Sequence, residues 1–171
     1  MSSLSIATVS ALCALAAGTC PAAPLSPEAR TFIAQGPAVV LHGCPKPWPP
    51  RNWREGRLLH RGELKRIEDK DSGRPYTYQS LDYEGMSLTL RRAAIVELVV
   101  TRPEWPLPMR LRTGMPRAAF EHVLGAPVSE QSDDRQARIT YLDTGTEDGV
   151  TLDVDRVSGL VTRVSWSFYY D

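Results

Sequence analysis

Two stretches of this chain set one alternating pattern against another copy of itself. "EGMSLTLRRAAIVELVVT" from Glu84 aligns with "DGVTLDVDRVSGLVTRVSWS" from Asp148, each an acid-glycine turn, an alternating run, a turn and a second run. Alternation of period two places successive side chains on opposite faces of a strand. Met86, Leu88 and Leu90 correspond to Val150, Leu152 and Val154 on one face, and Ser87, Thr89 and Arg91 to Thr151, Asp153 and Asp155 on the other. That is the signature of an antiparallel hairpin with one face covered and one open. Val96, Leu98 and Val100, and then Leu160, Val164, Trp166 and Phe168, continue the covered side. Upstream strands are expected at "RPYTYQSLDY" and at "ARITYLDT".

The covering element is repeated too. Pro27 and Gly36 bracket one apolar-periodic segment and Pro116 and Gly125 another. Proline suits the first helical turn and glycine the position just past the last. Ala119, Phe120, Val123 and Leu124 form a stripe on the second helix, Ala29, Phe32 and Ile33 one on the first, and Ser26 is a natural N-cap. The expected fold class is α+β: two tandem helix-plus-antiparallel-sheet repeats, with helices covering one face of the sheet. The first unit spans 24–104 and carries an insertion rich in proline, tryptophan and basic residues; the second spans 105–171.

"LRTGMPRAAFEHVLGAP", "ITYLDT" and "GVTLDVDRVSGLVTRVSW" are together similar to the pattern of the small-periplasmic-protein superfamily that includes the SmpA/OmlA outer-membrane assembly lipoproteins and the tandem β-lactamase inhibitor proteins. Gly114, Met115, Gly125, Pro127, Tyr141, Gly149 and Trp166 carry the resemblance. It covers the last third of the chain well and the earlier repeat in outline. It implies a doubled helix-on-sheet unit whose open face and loops grip another protein, in an inhibitor, an immunity-like protein or an envelope scaffold.

The N-terminus reads as an export address. "LSIATVSALCALAAG" is apolar and uncharged, and is followed by small residues and "PAAPLSP", as in a secretory signal over 1–19; the expected location is the periplasm or beyond. Cys20 leaves two readings open, a lipid anchor on the outer membrane or a soluble protein. The residues before Cys20 do not form a lipobox. With Cys13 inside the signal, Cys20 and Cys44 remain as an even pair for a disulfide in an oxidising compartment.

Charge excludes one partner class. Twenty Lys and Arg balance twenty Asp and Glu among 171 residues, so no basic footprint for nucleic acid exists. The charge is uneven: nine basic residues stand against five acids between His42 and Tyr78, whereas the tail from Ser129 is rich in aspartate. Such asymmetry suits a solvated surface or a charge-steered protein interface.

No catalytic constellation stands out. Cys44 with His42, His60 or His122 matches no nucleophile signature, and His42, Cys44 and His60 lack the paired spacings of structural zinc. Asp133, Asp134, Glu147 and Asp148 precede turns, where carboxylates cap backbone. The chain is therefore expected to be a noncatalytic module without cofactor or metal, binding a periplasmic or envelope protein, with membrane contact only through lipidation at Cys20. The candidate partner-binding residues are Trp48, Trp53 and Trp105 in proline-rich connections, and Arg91, Glu97, Asp153, Arg163 and Tyr169 on or beside the open face.

Overall fold

A computed structural model describes residues 24–44, 49–53, 56–68, 73 and 75–169. Helix α1 runs Pro27–Val40, with the Ser26 hydroxyl accepting from the Ala29 N–H at 3.0 Å. Three short strands follow, β1 (Asn52–Trp53), β2 (Gly56–Arg61) and β3 (Lys65–Glu68), and then the meander β4 (Pro75–Tyr83), β5 (Met86–Arg91) and β6 (Ala94–Val100). Helix α2 (Arg117–Leu124) precedes a second meander of β7 (Ser129–Ser132), β8 (Gln136–Leu142), β9 (Gly149–Asp155) and β10 (Val161–Ser167).

The expected pair of helix-plus-sheet repeats is not what forms. Ten strands make one antiparallel sheet in the order β1-β2-β4-β5-β6-β10-β9-β8-β7, with β3 also bonded to β4. Two α-helices, of 14 and 8 residues, are the only ones among the described residues. The physical reason lies at the seam. Each hairpin ends in a strand with an unbonded edge, and the two edges pair with each other, Val100 opposite Val164 and Leu98 opposite Trp166. An exposed row of N–H and C=O groups on each unit is thereby removed. The insertion contributes strands rather than loop, because β1, β2 and β3 extend the sheet beyond β4.

The helices also ignore the boundary between the repeats. Phe32 of α1 stacks on Trp166 of β10 with ring centroids 5.4 Å apart, and the indole N–H donates to the Phe32 carbonyl at 3.4 Å. The Ser26 hydroxyl donates to the Leu124 carbonyl at the end of α2, at 2.7 Å. A single apolar core results, running from Trp53 and Tyr83 through Leu98 and Trp166 to Ile139 and Tyr141. Helix α1 moreover continues through Gly36 and Pro37 for another turn. Gly36 is buried beneath the Trp166 ring, so it serves as a gap in the helix surface instead of a left-handed stop. In α2 the glycine does end the helix: Gly125 has φ 77°.

Candidate functional site

The sheet has one covered and one open face, and the register fixes what the open face carries. Across six strands the sequence Asp82, Ser87, Val99, Ser165, Thr151, Thr140 forms one transverse row. A second row holds Ser80, Thr89, Glu97 and Ser167, and a third holds Arg163, Asp153, Arg138 and Gln131. Both helices lie on the other side, with Phe32, Phe120 and Leu124 buried in the core. The open face is hollowed. Ser87, Ser165 and Thr151 are only half-exposed, and Val99 and Thr89 are buried. Two adjoining hollows of about 290 and 280 Å³ share Arg138 and Asp153 in their walls.

Asp153 is the electrostatic centre of this face. Its carboxylate is 12% exposed and accepts from Arg138 Nε at 2.8 Å, with Arg163 Nε 3.9 Å from its other oxygen. Arg163 also donates to the Ser165 hydroxyl at 3.0 Å. The hydrogen bond that Arg138 donates to Asp153 is the first cause of the upward push on its guanidinium. Glu97, two strands from Asp153, is exposed and accepts from the Thr89 hydroxyl at 3.3 Å. The result is a hollowed field of hydroxyls with alternating charge, two guanidiniums around one carboxylate and a second carboxylate nearby. It can make directional polar contacts to a surface laid on it.

The expected residues divide into three groups. Glu97, Asp153 and Arg163 come together on the open face as described. Arg91 lies at its far end, half-buried, with its guanidinium 4.4 Å above the Tyr76 ring. Tyr169 follows β10, exposed, with its backbone N–H donating to Asp148 at 3.0 Å. Trp53 and Trp105, in contrast, are not surface anchors. They are 3% and 1% exposed and form an edge-to-face cluster with Tyr83, and the Trp105 indole N–H donates to the Glu84 carbonyl at 2.8 Å. Tryptophan in a proline-rich connection closes the core here because the sheet leaves an apolar end that the helices do not reach. Trp48 and Cys20 lie outside the described residues. Cys44 is half-buried against the core just beyond α1, and burial pushes its thiol up from its ordinary value.

Arg138 escaped the sequence reading. It sits in β8 directly opposite Asp153 in β9, and a charge in the alternating run "ARITYLDT" was the available signal. A second ion cluster has a structural role: Arg117 of α2 donates to Glu121 at 2.7 Å and to both oxygens of Glu130 in β7 at 2.7 and 2.8 Å. It pins the helix to the edge strand. His42, His60 and His122 are all exposed. Among the described residues no three His, Cys, Asp or Glu side chains gather as a metal ion would require. No family model, curated protein or solved structure matches the chain.

Proposed function

We propose that this chain is an exported, noncatalytic protein-binding module of the inhibitor or immunity type, and that it holds its partner on the open face of the sheet. The observation that carries the reading is the hollow around Arg138, Asp153 and Arg163, which lies on an uncovered face spanning both halves of the sheet. Arginine and small polar side chains around a recess give orientation through charge-assisted hydrogen bonds. The resemblance of 114–166 to the small-periplasmic-protein superfamily of the SmpA/OmlA lipoproteins and tandem β-lactamase inhibitor proteins, and the apolar uncharged N-terminus, support the compartment. An outer-membrane assembly scaffold is the alternative of the same class.

The test is affinity capture from an envelope extract of the source organism, with the chain and two variants run side by side. Thr151→Arg fills the open face, and Gln35→Arg adds the same charge to the exposed side of α1. The reading expects one dominant protein retained by the parent chain and by Gln35→Arg and lost with Thr151→Arg. A soluble hydrolase or toxin as that protein identifies an inhibitor; envelope assembly components identify a scaffold. Equal recovery by both variants places the contact elsewhere and overturns the assignment of this face.

A further inference from the structure

The covered face of the sheet is not covered to its end. Past the last turn of α1, the strands β4, β5 and β6 continue, and Gln79, Leu90 and Ile95 lie side by side across them. A register shift between Thr89 and Leu90 sets Ile95 opposite Leu90, which turns Ile95 toward the same side. Leu41 and Cys44 from the end of α1, Pro49, and Leu64 from the β2–β3 connection rise around them. They enclose a cleft of about 510 Å³, within the range of small-molecule sites. Arg61 is the charged residue in its wall, and it has no ion-pair partner among the described residues. Leu64, at 62% exposure, is a large apolar side chain held open to solvent at the rim.

A second recess adjoins the cleft on the exposed flank of the helix. It has a volume of about 550 Å³, shares Ala93 and Ile95 with the first and is walled by Ala34, Pro37 and Ala38 of α1 and by Phe168. Asp148 also lines it. The two recesses adjoin through Ala93 and Ile95, are mostly apolar, carry Arg61 in the first and Asp148 in the second, and lie on the opposite side of the sheet from the Asp153 hollow.

We propose that this groove binds a single-chain aliphatic carboxylate, with the head group on Arg61 and the chain running past Leu90 and Ile95 into the recess beside α1. A guanidinium with no carboxylate partner among the described residues, at the mouth of a mostly apolar channel, complements an anion attached to hydrocarbon. Asp148 selects against a second anion in the recess beside α1, since like charges repel. The chemistry therefore distinguishes a monocarboxylate from a neutral alcohol and from a dicarboxylate of equal length. This site is independent of the protein-binding reading of the open face.

Isothermal calorimetry with dodecanoate, kept below its micelle concentration, tests the assignment on the full chain. The expected result is one saturable site, weakened about tenfold in Arg61→Gln through loss of one charge-assisted contact. Dodecanol and dodecanedioate should each bind the parent chain about tenfold more weakly than dodecanoate. Thr77→Trp, an exposed strand position in the cleft wall, should abolish the signal while circular dichroism stays that of the parent. Absence of a dodecanoate signal with the folded parent chain overturns the proposal. So does dodecanoate binding that both Arg61→Gln and Thr77→Trp leave unchanged, which would be adsorption elsewhere on the surface.

Discussion

Gly36 lies flat beneath the Trp166 indole, so close that a Cβ at position 36 would collide with Nε1 and Cε2 of the ring. The ring cannot yield, because Trp166 is fully buried and is held by Phe32 on one side and by its own N–H bond to the Phe32 carbonyl. Elsewhere in a helix, glycine to alanine gains roughly 0.5–1 kcal/mol through backbone entropy. Here that gain is opposed by an overpacking cost of about 1–3 kcal/mol. Gly36→Ala should therefore destabilise by about 1–2 kcal/mol in urea unfolding, and a stabilised variant would mean that α1 does not rest on β10.

That contact also explains what could and could not be read from the sequence. The hairpins β5–β6 and β9–β10 and the Ser26 cap are legible because each is local: alternation, turn residues and a hydroxyl three residues before the N–H it accepts from. Gly36 reads as a helix stop because glycine after an apolar stripe usually is one; its real role depends on Trp166, 130 residues later in the chain. The same limit hid the seam. Nothing in "AIVELVV" says that its free edge will bond to "VTRVSWS", because strand pairing between distant segments leaves no local mark. Of the open face, Asp153 and Arg163 were visible from alternation, whereas Arg138 joins them only through the β8–β9 register.

Arg138 and Asp153 should be energetically coupled. The pair is close, at 2.8 Å, and its acid is mostly buried, but the guanidinium is 59% exposed, which limits the gain. A double-mutant cycle with Arg138→Met and Asp153→Asn should give a coupling of about 0.5–1 kcal/mol, smaller at high salt. Asp153→Asn alone should cost more than Arg138→Met alone, since it strips the partner from two guanidiniums and leaves a half-satisfied amide in a shielded place. A coupling of zero would remove Asp153 as the organiser of the face.

Cys44 provides a probe of the cleft beside it. Burial raises its thiol, so at neutral pH little thiolate forms and a soluble thiol reagent should react slowly, accelerating as pH rises past the ordinary value near 8.5. The same experiment addresses the expected Cys20–Cys44 bridge. If the two are joined in the exported protein, Cys44 is unreactive at every pH until reductant is added, and peptide mapping without reductant recovers a linked pair. If Cys44 alkylates without reductant, the bridge is absent and the thiol belongs to the cleft wall alone.

Two tyrosines should mark the alkaline limit of the fold. Tyr83 donates to the Pro50 carbonyl at 3.1 Å and Tyr141 to the Gly125 carbonyl at 3.2 Å, and burial is the first cause that pushes each phenol up to about 12. In the unfolded chain both ionise near 10. Between those values the folded state holds protons that the unfolded state has released, so stability falls as pH rises. Below pH 10 neither tyrosine contributes any pH dependence. Ultraviolet titration should show Tyr83 and Tyr141 ionising late, together with loss of structure. Tyr141→Phe should cost about 0.5–1.5 kcal/mol at neutral pH through its hydrogen bond, yet it should flatten the alkaline decline. If Tyr141→Phe leaves the slope between pH 10 and 12 unchanged, the Tyr141 phenol is open to water, and the closure of α2 over β8 through Gly125 is looser than the structure has it.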